Sequence, residues 1–333
     1  MQVVRAAETE TPVPDPGRVQ PPGPNKQFVL GYQADKPRAF DGWFADAAAS
    51  VPPTSSPVLA PVREAAAAAL PTIFFPGRKD EPFRRCDLSS LRAAQLAPAT
   101  ADVAAAKAAL AVCADEETDG MRLVLVDGVC SAELSDLSAL PEGVSVGSVC
   151  DASGDALDGA LATLRAPLPE SDATPNTALG VYGFAALNQA SVGDVASIHV
   201  GGGVSVERPL HVLMLSSGGE AGAGAPLVAS HPSLVVSLGE GASLTLHQQY
   251  YACDASAPYF SNGLTRVTLG EAASMEHSYV QEQGAAATHV DSVLVEVGAA
   301  ATYASTMLQS GGKIARVNHR IHLNGEKASS NLR

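Results

Sequence analysis

The chain has 333 residues, 46% of them hydrophobic, enough to bury a sizeable core in one large domain or two modest ones. A net charge of −14 repels phosphate backbones and anionic lipid, which argues against nucleic acid and membrane surfaces as primary partners. Five cysteines (Cys86, Cys113, Cys130, Cys150 and Cys253), odd in number and without a CxxC spacing, argue against a disulfide framework or a sequence-local zinc site and for a reducing compartment. No uninterrupted apolar run reaches the roughly 18 residues of a membrane helix; the run after Glu64 is broken by Pro71.

Residues 1–38 are rich in proline, with PVPDP and PPGP, and read as a disordered or extended arm. Residues 39–120 read as a helical N-terminal region. An Ala-rich stretch opens at Trp43 and Phe44 and stops at Pro52–Pro53. Further helices are expected over Arg63–Leu70, Leu88–Leu96 and Asp102–Val112. Residues 121–177 read as a short α/β connecting region: MRLVLVDG is a strand entering an Asp127–Gly128 turn, GVSVGSV is a second strand, and 151–177 is a helix plus loop.

From Tyr182 onward the chain reads as strand-rich, and residues 178–333 are assigned to one β core containing a repeat. Leu234–Leu246, Leu264–His277, Val293–Ser305 and Ile321–Ser330 each read strand, small-residue turn, strand, and Ile198–Val206 is a looser copy. The turns begin at Gly239, Gly270, Gly298 and Asn324, spaced 31, 28 and 26 residues apart. Val236 and Leu238 correspond to Val267 and Leu269, to Val295 and Val297, and to Ile321 and Leu323. Residues two apart share one strand face, so each copy carries an apolar stripe that it cannot bury alone. Stacking the copies about 4.8 Å apart buries the stripes in one column. The expected fold is mainly β, a parallel β-helix or related β-solenoid with a small helical N-terminal region. A sandwich of antiparallel hairpins is the competing arrangement, and steps this long suit it less well.

The motifs that carry chemistry elsewhere are weak here. All eight histidines (His199, His211, His231, His247, His277, His289, His319 and His322) follow residue 198. His319 and His322 form an HxxH pair, but residues three apart on a strand point to opposite faces and cannot chelate one ion. The others read as polar residues of strand faces. Cys253 sits in the loop YYACDASAPY with no adjacent cation to activate it. Gly143–Gly147, GVSVG, matches a nucleophile elbow in letters only, because Ser145 lies within an alternating strand. Gly201–Gly203 lacks the Lys-Ser/Thr of a phosphate loop and reads as a repeat corner. A β-helical carbohydrate lyase or hydrolase is the alternative function. It would need carboxylates converging on one groove, whereas Asp254, Glu276, Glu282, Asp291 and Glu296 are spread over different copies.

Three blocks carry a family resemblance: Pro71–Leu91 (PTIFFPGRKDEPFRRCDLSSL), Leu123–Val149, and Phe184–Leu210 (FAALNQASVGDVASIHVGGGVSVERPL). With Tyr259–Asn262 and Gly311–Asn318 they resemble the SufB/SufD family of iron–sulfur cluster assembly, most closely its SufD type. The first block departs from the usual pattern, with Phe83 at an aromatic position and Arg85–Cys86 in place of Tyr-Thr. The resemblance implies a right-handed parallel β-helix and a non-catalytic scaffold that pairs with a SufB-like subunit and a SufC-like ATPase. It implies no catalytic, cofactor-binding or metal-ligating residue in this chain, and iron–sulfur intermediates handled only through the complex. Asn188, Arg316, Asn318, Gly325 and Glu326 match the family at positions expected to be structural. Family members continue past the point matched by Arg333, where the segments facing SufB and SufC lie, so the chain is expected to be C-terminally truncated relative to them. Val3–Ala7, VVRAA, resembles a plastid transit-peptide junction, which implies the plastid stroma.

Overall fold

The computed structural model describes residues 42–54, 56–78, 80, 83–113, 120–168 and 179–333. The expected N-terminal arm, residues 1–38, lies outside the described residues.

Alanine-rich segments with proline at their ends make the helices, as propensity requires. Helix α1 (Trp43–Ala49) stops shortly before Pro52, and α2 (Ala60–Ala69) has Pro61 in its first turn and gives way to a 3-10 turn containing Pro71. Then come α3 (Ser89–Ala93), strand β1 (Leu96–Pro98), α4 (Val103–Cys113), strands β2 (Arg122–Val126), β3 (Val129–Cys130) and β4 (Val144–Ser148), and α5 (Gly154–Arg165). The helix expected over Leu88–Leu96 is thus shorter. Its end turns into β1, because Leu96 pairs with Leu227 on a distant strand and tertiary pairing overrides local preference.

A second correction falls at the start of the strand-rich region: Leu179–Ser191 is a helix, α6. Phe184–Ala190 is buried throughout, so this segment shows no amphipathic period to mark it as helical. Beyond it run β5 (Ala196–Val200), β6 (Leu210–Ser216), β7 (Leu227–Ser230), β8 (Ser233–Leu238), β9 (Ser243–Ala252), β10 (Phe260–Leu269), β11 (Ser274–Gln283), β12 (Thr288–Val297), β13 (Thr302–Gly311), β14 (Ile314–Leu323) and β15 (Ser329–Leu332).

From β8 on, the chain passes alternately between two sheets. One sheet pairs β8 with β10, β10 with β12 and β12 with β14; the other pairs β9 with β11, β11 with β13 and β13 with β15, and every one of these pairs is parallel. The register is the one the repeat demands: Leu238, Leu269, Val297 and Leu323 are successive partners, as are Val236, Val267, Val295 and Ile321. Hairpin pairing of the repeats is therefore not what forms. Antiparallel pairing among the described strands is confined to β2 with β3 and β4 with β5. The looser copy at Ile198–Val206 has one full strand, its second half being a single bridge from Ser205 to Ser243.

The facing stripes of the two sheets, including Leu244, Leu246, Val267, Leu269, Met275, Val293 and Val295, pack into one core. Each buried valine or leucine contributes about 1.5–3 kcal/mol, a gain available only when neighbouring layers are present. The corners repeat as well. Gly203, Gly241, Ala272, Ala300 and Lys327 all have positive φ, between 55° and 71°. The amides of Gly203, Gly241, Ala272 and Ala300 each donate to a corner carbonyl of the following layer at 2.7–2.8 Å. Each turn is thereby fastened to the next.

Helices cover the outside of the first sheet. Asn188 of α6 donates to the carbonyls of Pro232 and Asn262 at 2.9 and 2.7 Å, and Asn262 donates back to the carbonyl of Phe184 at 3.0 Å. Buried Arg266 on β10 donates to the carbonyls of Leu164 and Ala166, capping α5. Arg316 on β14 lies 4.1 Å from the ring centre of Phe83, joining the N-terminal block to the repeat.

Candidate functional site: a buried polar column between the sheets

Toward the corners the space between the sheets is apolar. Farther along the same strands it is polar. On β9 the inward residues run Leu244, Leu246, Gln248, Tyr250; on β11 they run Met275, His277, Tyr279, Gln281, Gln283; on β12 they include His289 and Asp291 before Val293, Val295 and Val297. The histidines at 277 and 289 lie on strand faces, as read from sequence, and the face is the inner one. They share parity with the core valines and leucines and are buried.

These side chains form two hydrogen-bonded groups that meet where the Tyr250 hydroxyl faces Asp291. Tyr279 donates its hydroxyl to Asp291 Oδ2 at 2.8 Å and lies 2.7 Å from His289 Nε2. The Tyr279 proton is committed to the carboxyl, so His289 carries hydrogen on Nε2 and leaves Nδ1 bare, without a protein partner. Gln248 Nε2 donates to Thr265 at 2.8 Å and to the Tyr250 hydroxyl at 3.2 Å. Its Oε1 then accepts from His277 Nε2 at 3.0 Å. His277 Nδ1 in turn accepts from the Tyr303 hydroxyl at 2.7 Å, and the Tyr303 oxygen accepts from His319 Nε2 at 3.2 Å. The tautomers are assigned from the orientation of the Gln248 amide, itself assigned from its contacts with Thr265 and Tyr250.

Asp291 is the end of both arms. It is fully buried, and its one ion-pair contact among the described residues is His289 Nε2 at 4.0 Å. Gly263 makes room for it: a Cβ there would lie 2.6 Å from Asp291 Cγ and 2.6 Å from the Tyr250 hydroxyl, which also faces the carboxyl. Burial raises the Asp291 pKa against the opposing effect of the two tyrosine hydroxyls. Burial lowers His277 and His289 to about 3 and His319 to about 4, so the imidazoles are neutral at pH 7.

The residues singled out from sequence do not meet in this column, apart from Asp291 and the histidines already named. His319 points inward to Tyr303, whereas His322 points outward to Glu296 at 3.2 Å, so the HxxH pair is split as strand geometry requires. The remaining carboxylates diverge. Glu282 bonds Gln249 on the outer face of the second sheet, Glu296 faces the outside of the first, and Asp254 turns onto Ser256. Such a scatter offers no paired acid and base for glycoside chemistry. Ser145 stands in β4 opposite His199, but His199 Nδ1 bonds Ser237 at 2.9 Å and the strand continues to Ser148, so there is no elbow. The amides of Gly201 and Gly203 are occupied by the carbonyls of Gly143 and Glu240. Cys253 packs in one apolar cluster with Cys113, and burial pushes the two thiols up to about 12 and 11.

Two family models match the chain: the SufBD protein N-terminal region over residues 35–212, and the SUF system FeS cluster assembly SufBD core domain over residues 220–333. The chain belongs to the SufB/SufD family. It is 27% identical over 276 residues to Protein ABCI7, chloroplastic, of Arabidopsis thaliana, covering 82% of this chain and 54% of that protein. It is 26% identical over 282 residues to an iron–sulfur cluster assembly SufBD family protein of Synechocystis sp., covering 81% of this chain and 58% of the relative. The chain thus spans about half the length of the curated relatives it matches. No helix among the described residues is long and apolar enough to cross a membrane.

Proposed function

We propose that this chain is a SufD-type scaffold subunit of an iron–sulfur cluster assembly complex, non-catalytic by itself, pairing with a SufB-like subunit and a SufC-like ATPase. The observation that carries this reading is the pair of family matches, which together run from residue 35 to residue 333 with a short gap. The parallel, in-register layers support it physically, because layers tied by both strand ladders and corner bonds form a stiff body able to hold partners at fixed spacing. We read the winding of these layers as a right-handed parallel β-helix, the hand favoured for parallel crossovers in general. A chloroplastic relative and the VVRAA pattern support a plastid stromal location. In this reading, cluster intermediates reach the chain only through the complex, and no residue here is assigned as their ligand.

The test is co-expression of the tagged chain with a SufB-like and a SufC-like protein from one plastid-bearing source, followed by affinity capture. Retention of both partners in fixed ratio is expected. Recovery of the folded chain alone overturns the assignment.

A further inference from the structure

We infer that Asp291 is a buried proton-binding site, exchanging with solvent through a chain of side chains that ends at His319. The groups facing it are known from each strand around it: Tyr250 of β9, Gly263 of β10, Tyr279 of β11, His289 of its own strand, and Val317, its partner on β14. Lysine and arginine are absent from this set, so an ionised carboxyl here has only two tyrosine hydroxyls and the Ser292 amide, all neutral donors, to replace its water. That exchange is unfavourable for a charge with no counter-ion. Asp291 Oδ1 and His289 Nδ1 both lack protein partners. A proton on the carboxyl removes the charge that the site cannot compensate.

The path follows from the bonds already described. Every donor from His319 inward points toward Asp291: His319 to Tyr303, Tyr303 to His277, His277 to Gln248, and Gln248 to Tyr250. One proton taken up at His319 Nδ1 releases the Nε2 proton to Tyr303, whose own proton passes to His277 Nδ1. His277 Nε2–H goes to Gln248 Oε1, an amide proton of Gln248 goes to Tyr250, and the Tyr250 proton reaches the carboxylate. Each relay group ends neutral, and one proton has moved. The amide step needs an imidic-acid form of Gln248, so the path is slow and Gln248 is its gate. His319 is the half-buried member and the others on the path are buried, which places the entrance there.

Infrared spectroscopy of the full chain, labelled with carboxyl-13C aspartate, tests this independently of any partner. A carboxylic-acid carbonyl band carrying the isotope shift is expected at pH 7 and is lost in Asp291→Asn. On transfer to D2O the band should shift, and Tyr303→Phe, which removes one hydroxyl from the path, should slow that shift at least tenfold. The labelled wild-type chain answers the first question even where Asp291→Asn fails to fold. Absence of an aspartic-acid band at pH 7, or its survival in a folded Asp291→Asn, overturns the site. An unchanged exchange rate in Tyr303→Phe overturns the path.

Discussion

Asn188 on α6 and Asn262 on β10 hold each other: Asn188 Nδ2 donates to the Asn262 carbonyl at 2.7 Å, and Asn262 Nδ2 donates to the carbonyl of Phe184 at 3.0 Å. Both side chains are fully buried, and the pair fixes α6 across the first sheet. Asn188→Leu removes both bonds that Asn188 donates; the Pro232 carbonyl keeps the Leu264 amide at 3.0 Å, and the cost is that of lost buried hydrogen bonds, about 0.5–1.5 kcal/mol each. A loss of about 1–3 kcal/mol in urea unfolding is expected. A change below about 0.5 kcal/mol, the size of a neutral surface substitution, would show that the helix is held some other way.

Arg266 plays a comparable part for α5. Its guanidinium donates to the Leu164 and Ala166 carbonyls, and burial lowers its pKa to about 10. Arg266→Met keeps much of the volume and removes the cap. We expect loss of protection of the α5 amides in hydrogen exchange before any loss in β10, because the cap belongs to the helix end. Equal loss in both elements would contradict this.

The corners give a steric prediction. A Cβ at Gly298 would lie 2.7 Å from the Leu269 carbonyl oxygen in the layer below. Gly298→Ala should therefore cost about 1–3 kcal/mol, the usual range for overpacking. Gly193, where an added Cβ would meet nothing within 4 Å, is the control expected to tolerate alanine. Thermal unfolding of the two variants separates a stacked corner from an ordinary loop glycine.

Stability should fall as pH drops below neutrality. His231, His277 and His289 titrate near pH 3 in the folded chain and His319 near 4, against 6.5 for the free side chain. These folded values lie below the unfolded ones, so the unfolded state binds more protons between about pH 3 and 6.5. Their contribution is complete above that window and declines within it by about 1.4 kcal/mol per pH unit for each fully displaced imidazole. Asp291 acts in the opposite sense. Its folded pKa is raised, so its contribution is complete below 3.8 and is lost as pH rises through the folded value. Urea midpoints at pH 7 and pH 5 measure the sum, and a clear drop at pH 5 is expected. Equal midpoints would mean that the histidines are not buried neutral.

The repeat was legible from sequence because its period is carried by residues of one kind, Val236, Val267, Val295 and Ile321, at matching positions beside small corners. The register in the structure is the one those letters imply. The column was not legible for the converse reason. His277, Tyr279 and Gln281 continue the inward parity of Met275, but polar residues on a strand are ordinarily read as facing water. The parity was present in the sequence; the depth of the polar stretch was set by strands from other layers. Helix α6 was hidden because burial on all sides erases the period that marks a helix, and β1 because its partner β7 lies far along the chain.

Core, column and proposed scaffold role all depend on successive repeats lying on one another, parallel and in register. Spin labels at Thr245 and Ala304 measure this most directly, since Thr245 pairs with Glu276 and Glu276 with Ala304. Two strand spacings predict a backbone separation of about 10 Å, within reach of continuous-wave dipolar broadening. A narrow, unbroadened spectrum in the folded chain, placing the labels beyond about 20 Å and so more than four strand spacings apart, would contradict the stacking.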